Sequence, residues 1–177
     1  MINIIQAMPG DLQNAVKFYC ELITSMRERE FRPDWKMGIY PTEQILLDAI
    51  IKKTMYFTYF ENILAGIMIL NRNYPPEYET VKWQTDAEKS EIMIIHALAV
   101  SAVYQGKGIA KQMVAAAVEI SKQNKAKTIR LDVLEKNIPA AKLYLSAGFK
   151  YIDSVKMFYE DTGWASFRLY ELVLQTQ

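Results

Sequence analysis

Leu98-Ala99-Val100, four further residues, and then Gln105-Gly106-Lys107-Gly108-Ile109-Ala110 stand where a buried strand gives way to a helix. Upstream, Glu91 to Val100 is nearly all apolar, the pattern of a central strand covered on both faces. Downstream, Ile109, Met113, Val114, Ala117, Val118 and Ile120 recur at helical spacing, and Thr128 to Leu134 reads as another strand. The unit is strand, loop, helix, strand. A helix N-terminus presents unpaired N–H groups and the positive end of the macrodipole, so it can hold phosphate without many basic side chains. Gly106 and Gly108 let the backbone approach closely. Short glycine turns are also common as plain structure, and the segment lacks the Lys-Ser or Lys-Thr of a Walker loop. A dinucleotide fingerprint would need a small residue where Lys111 stands.

Working toward the N-terminus, Asn73-Tyr74-Pro75-Pro76-Glu77-Tyr78 is an excursion whose prolines exclude it from a central strand, read as a loop on the active-site side. Tyr56 to Phe60, the Glu61-Asn62 turn and Ile63 to Leu70 form a hairpin pattern. Thr42 caps a helix over Glu43 to Lys53, Arg27 to Pro41 is punctuated loop or broken helix, and Pro9-Gly10-Asp11 separates a first strand from a first helix. Toward the C-terminus, Asn137 caps a helix with Pro139 in its first turn, stopped by Gly148. Lys150 to Tyr159 and Ala165 to Leu174 are two last strands.

The 177 residues suit one domain, 1–177, with one core. With 21 Lys and Arg against 20 Asp and Glu, there is no strong field to attract nucleic acid or an anionic membrane, so an anion must be bound locally. The single Cys20 forms no internal disulfide and reads as a small core residue, as suits a reducing cytoplasm. The N-terminus lacks a signal-peptide pattern, and no segment approaches the roughly 20 apolar residues of a membrane span.

Two motifs carry a resemblance. Gln105-Gly106-Lys107-Gly108-Ile109-Ala110 matches the Gln/Arg-x-x-Gly-x-Gly/Ala signature of the GCN5-related N-acetyltransferases, the GNAT family. Asn137, Ala140, Tyr144 and Gly148-Phe149 match its second signature. The proposed order of elements also resembles that fold from end to end. The resemblance implies an α/β (α+β) fold: a mixed sheet of about six or seven strands, about four flanking helices, and splayed parallel central strands. It implies acetyl-CoA as cosubstrate and no metal. Leu98 and Val100 would meet the pantetheine arm through their backbone, and the pyrophosphate would rest on the amides of Gly106 to Lys111, thus Lys107, Gly108, Ile109 and Ala110 as well, with Ala99 and Gln105 also in the cofactor-binding set. Asn137 would contact the pantetheine arm or the base of the next helix. The family's oxyanion donor is a main-chain N–H near Leu98.

In that family a tyrosine matching Tyr144 lies near the thioester sulfur, where its phenol can protonate the departing thiolate; the plainer reading is one of 11 tyrosines packing a helix on the sheet. His96, the only histidine, shares a face with Leu98 and Val100 if alternation holds, and a neutral imidazole there could accept the amine proton. It could equally be a satisfied core histidine. Glu91 is a second base candidate or a solvated strand end. Phe31, Trp35, Tyr74, Trp83, Tyr159 and Trp164 could wall an acceptor site, or serve as ordinary core. Lys107 and Lys111 could help hold phosphate or simply face water.

The reading is thus an N-acetyltransferase acting on a small-molecule amine by direct attack in a ternary complex, with no nucleic acid or membrane partner. A homodimer is expected only because symmetric pairs are common. One alternative is a non-catalytic acyl-CoA sensor. Another is a dinucleotide-binding domain using Asp132 for the ribose, which leaves Asn137 to Phe149 unexplained.

Overall fold

The structure, a computed structural model, describes residues 1–27 and 33–174. Its elements follow the hydrophobic periods closely. Strand β1 (Ile2–Gln6) leads through a short 3-10 turn at Pro9–Asp11 into α1 (Leu12–Ser25). Helix α2 (Glu43–Ile51) starts at Thr42, whose hydroxyl accepts the Ile45 N–H at 3.1 Å and satisfies one of the first-turn donors. Strands β2 (Met55–Phe60) and β3 (Ile63–Asn71) are joined by Glu61 and Asn62, both at positive φ (51° and 64°), as a two-residue turn matching strand twist requires. Then come β4 (Ile92–Val100), α3 (Ile109–Gln123) and β5 (Thr128–Leu134). Helix α4 (Ile138–Ser146) and strands β6 (Lys150–Tyr159) and β7 (Gly163–Val173) complete the order.

The seven strands make one mixed sheet in the order β1-β2-β3-β4-β5-β7-β6, in which β4 and β5 are the parallel pair. A sheet with antiparallel pairs on both sides of one parallel pair is not doubly wound, so the dinucleotide-binding reading falls with it. Met93 and Ile95 of β4 pack with Met113, Val114 and Ala117 of α3 and with Ala141 and Tyr144 of α4. Ile92 and Ile94 alternate to the other face, where Tyr78 of the proline-rich excursion covers them. Further along that face, α1 and α2 bury Phe18, Tyr19, Leu46 and Ile50 against Phe57, Ile67 and Ile69.

The excursion between β3 and β4 is fastened by a buried ion pair. Arg130 Nε donates to Glu171 Oε1 at 2.9 Å, Arg130 also donates to the Thr85 carbonyl at 2.7 Å, and its guanidinium lies 4.3 Å from the centre of the Trp83 ring. No described helix is long and apolar enough to cross a membrane.

Candidate active site

Pairing between β4 and β5 is short. It runs Ile92↔Thr128, Met93↔Ile129, Ile94↔Arg130 and stops, although β4 continues to Val100 and β5 to Leu134. The β4 edge from Ile95 onward therefore has no partner in β5, which is how an extended ligand finds a strand to pair with. A bulge accompanies the split. Between Ile69↔His96 and Ile67↔Ala99 the β4 side carries one extra residue, and Ala97 sits at φ +48°, a conformation costing a non-glycine residue about 1–2 kcal/mol. Tyr19 holds it in place: its buried hydroxyl donates to the Ala97 carbonyl at 2.6 Å. Strain fixed by a tertiary hydrogen bond is common at functional sites.

The glycine segment follows the end of β4; of its residues Gln105 lines the cleft that follows the split, whereas Gly106 to Lys111 are not among the lining residues. Gly106 and Gly108 both have left-handed φ (79° and 77°), and an added Cβ at either would meet nothing within 4 Å. Gly108 caps α3 with no side-chain hydrogen bond, so the N–H groups of its first turn have no side-chain capping acceptor. Gln105 ties the segment to the strand end, donating to the Val100 carbonyl at 3.2 Å. Ile109 turns its side chain into the core at 1% exposure and offers only its backbone. Lys107 Nζ lies over the rings of Tyr104 and Phe60 at 5.1 and 5.6 Å, and Lys111 is exposed.

A cleft of about 750 Å³ follows the split; Leu98, Ala99, Val100, Gln105, Asn137 and Tyr144 all line it, as does His96. Asn137 caps α4, accepting the Ala140 N–H at 3.3 Å. Tyr144 is 7% exposed with its ring edge-on to Phe149. Among the described residues the only buried side-chain polar atom without a partner is the Thr58 hydroxyl. The Tyr144 hydroxyl, which has no hydrogen-bond partner among the described residues, is therefore not sealed in the core and opens to the cleft. Burial pushes its pKa up, with the Asp132 carboxylate adding to the rise, so the phenol keeps its proton at neutral pH.

His96 does not share the face of Leu98 and Val100. Those two pack with Ile95 on the α3 side, whereas the bulge after His96 puts Ala97 and Ala99 on the α1 side. Alternation fails there because one residue is inserted. His96 Nε2 lies 2.9 Å from the Asn73 carbonyl oxygen and 3.1 Å from Asn71 Oδ1. A carbonyl only accepts, so Nε2 carries the proton and Nδ1 keeps the lone pair. Desolvation lowers the imidazole pKa to about 4, against which the Asn73 contact works only weakly.

Asp132 of β5 also lines the cleft, a placement that the sequence reading did not find. Its Oδ2 accepts the hydroxyls of Tyr78 at 2.8 Å and Tyr159 at 3.2 Å, and burial raises its pKa despite them. The available signal was Arg130 and Asp132 alternating on one face of a strand whose other face is Ile129, Leu131 and Val133. Trp35, Tyr74 and Tyr159 line the cleft as well. Trp83 instead stacks on Arg130, and Trp164 is an exposed cross-strand partner of Phe158. Phe31 lies outside the described residues. Glu91 is at the far end of β4, paired with Lys127 at 2.9 Å, which draws its pKa down.

The family model for the acetyltransferase (GNAT) family matches residues 20–149, well over half the chain and inclusive of β4, the glycine turn, α3, β5 and α4. No curated protein matches the chain. Among solved structures, a GNAT-family acetyltransferase from Streptococcus agalactiae superposes with a TM-score of 0.82 at 19% identity, covering 98% of this chain and 96% of that one. YncA from Salmonella typhimurium, solved with its cofactor acetyl-CoA, gives 0.72 at 12% identity over 100% and 96%. A ribosomal-protein-alanine N-acetyltransferase from Brucella melitensis gives 0.72 at 14% identity over 97% and 99%. Such identities speak for the fold and not for the acceptor. The split parallel pair, the open glycine turn and the family match agree, and the chain belongs to the GNAT acetyltransferase family.

Proposed function

We propose that this chain transfers an acetyl group from acetyl-CoA to a small-molecule amine by direct attack in a ternary complex, in the reducing cytoplasm. The observation that carries the reading is the parting of β4 from β5 after Ile94↔Arg130, followed by a helix start with no side-chain cap. The residues suit the group: the free edge at Leu98, Ala99 and Val100 can pair with an amide-bearing pantetheine arm. The amides from Gln105 through Gly106, Lys107, Gly108, Ile109, Ala110 and Lys111 can cradle a pyrophosphate. Asn137 borders the arm. Bound acetyl-CoA supplies an acetyl thioester, an activated acyl group.

The chain's own groups then do modest work, because holding both reactants side by side supplies much of the rate. Tyr144, protonated and open to the cleft, donates to the departing thiolate sulfur. His96, neutral and fixed in one tautomer, takes the proton released by the amine nitrogen at Nδ1, directly or through water. With a pKa near 4 it passes the proton on to solvent and does not store it.

The test is thiol release from acetyl-CoA over a panel of amines. Acceptor-dependent release, reduced about tenfold or more in Tyr144→Phe with cofactor binding intact, supports transfer and the acid role. Binding without release by any amine, unchanged in Tyr144→Phe and His96→Ala, would turn the reading toward a sensor.

A further inference from the structure

The acceptor side of the cleft narrows the choice of amine. Trp35, Tyr40, Tyr74, Tyr159 and Phe167 give it apolar, largely aromatic walls. Trp35 is anchored edge-on to Tyr19 and tilted against Tyr40, with ring centres 5.8 and 6.1 Å apart, so these walls are built from packed rings and not from mobile tips. Set into them is Asp132. Both phenols that touch it, Tyr78 and Tyr159, reach the same oxygen, Oδ2, so neither occupies Oδ1. Two donors on one oxygen fix the rotamer of a carboxylate while leaving its other oxygen to a further partner.

The charged side chains that line the cleft among the described residues carry one sign. The described residues lining the cleft include Asp34, Asp132 and Asp161 and no lysine or arginine. Asp34 is paired with Lys136, which joins the segment before α2 to the start of α4. Asp161, 5% exposed, pairs with no described cation closely enough to form a salt bridge; burial raises its pKa, against which its own backbone N–H, that of Thr162 and the more distant Lys36 work. A cleft walled by rings and lined by carboxylates attracts a cation with an apolar body, and it repels an anionic group carried by the same molecule.

We propose that Asp132 is the acceptor-docking residue, and that the acceptor is a cationic amine with an apolar or aromatic body and no acidic group, so that α-amino acids are excluded. This rests on the acetyl-transfer reading above. Asp132 acts by holding the ammonium form near the reaction centre before the proton is lost.

A matched pair of probes tests it: 2-phenylethylamine and phenylalanine have the same body and differ by one carboxylate. Each is titrated calorimetrically into the full chain, free and saturated with CoA, for wild type and for Asp132→Asn. The expected result is wild-type binding of the amine about tenfold or more tighter than phenylalanine, the preference falling below about threefold in Asp132→Asn with CoA affinity unchanged. Equal or tighter binding of phenylalanine overturns the proposal, as does a preference that survives Asp132→Asn, or no binding of either probe to CoA-loaded protein. The wild-type preference needs no variant to fold. Failure of CoA to bind would instead strike the acetyl-transfer reading, with the probe preference still measurable on the free chain.

Discussion

Replacing Glu171 by glutamine changes one atom at the point where the acceptor-side excursion is fastened to the sheet. The carboxylate, 1% exposed, accepts at Oε1 from Arg130 Nε at 2.9 Å and Thr128 Oγ1 at 3.0 Å. At Oε2 it accepts from the backbone N–H of Gln84 at 2.7 Å and of Thr85 at 3.3 Å. A glutamine keeps one acceptor oxygen, so whichever way it is turned its NH₂ faces two donors. Arg130 would also lose its buried counter-charge, keeping at most neutral acceptors and the Trp83 ring beside it. Breaking one side of such a pair costs about 3–5 kcal/mol, a large share of an ordinary domain's stability. At about 2–4 °C per kcal/mol for a chain of this size, melting should fall by roughly 6–20 °C. The effect reaches the site through the chain of contacts: Trp83 Nε1 donates to the Tyr78 carbonyl at 2.8 Å, and the Tyr78 hydroxyl donates to Asp132. Glu171→Gln should therefore raise the acceptor KM while leaving acetyl-CoA affinity nearly unchanged. Denaturant titration measures the first effect and steady-state kinetics the second. A loss below about 1 kcal/mol would refute the idea that Glu171 is a pinned carboxylate.

Tyr19→Phe removes the donor to the Ala97 carbonyl and leaves a buried acceptor unpaired, which should cost about 1–3 kcal/mol in chemical denaturation and lower kcat by relaxing the bulge. Unchanged kcat would mean that the bulge holds without Tyr19. Gly108→Ala meets no neighbour, so its cost should be conformational alone, about 1–2 kcal/mol, with weaker acetyl-CoA binding by calorimetry. Gly66→Ala differs, because its Cβ would lie 2.7 Å from Met113 Sδ and 3.0 Å from the Ala99 carbonyl oxygen; overpacking should cost about 1–3 kcal/mol and raise KM for acetyl-CoA. His96 sets a pH dependence. Its folded pKa, about 4, lies below the ordinary value of 6.5, so between those pH values the unfolded chain binds the extra proton. The neutral imidazole's contribution is complete above about pH 6.5 and is lost as pH falls toward 4, by at most about 3 kcal/mol. Wild type should lose stability over that window relative to His96→Gln, and a pH-independent difference would contradict the assignment.

Most of the fold was legible because its elements obey simple periods. Thr128–Leu134 and Lys150–Tyr159 begin and end where β-branched and aromatic runs do, and Asn137 and Thr42 cap the helices they precede. The last strand begins at Gly163, two residues before its apolar run, because the tight turn lets pairing start at Tyr159↔Gly163. The glycine turn could be read from its chemistry, since left-handed backbone at Gly106 and Gly108 is what glycine permits. The face of His96 could not. From Ile92 to Val100 nearly every residue is apolar, so a period of two has no polar phase to read. The inserted residue is held by Tyr19, 78 positions away. In the sequence alone Asp132 reads only as a ribose ligand of the dinucleotide alternative, for a related reason: its place at the cleft shows only when Tyr78 and Tyr159, from two distant segments, are placed on it.

Acetyl transfer by this chain requires acetyl-CoA to lie between β4 and β5. Amide chemical-shift mapping during titration with acetyl-CoA tests that directly. It should show one-to-one binding, with the largest shifts at Leu98–Val100, Gln105–Lys111 and Asn137–Tyr144 and little change at the far end of β4 near Glu91. Absence of binding, or shifts gathered away from the split, would contradict it.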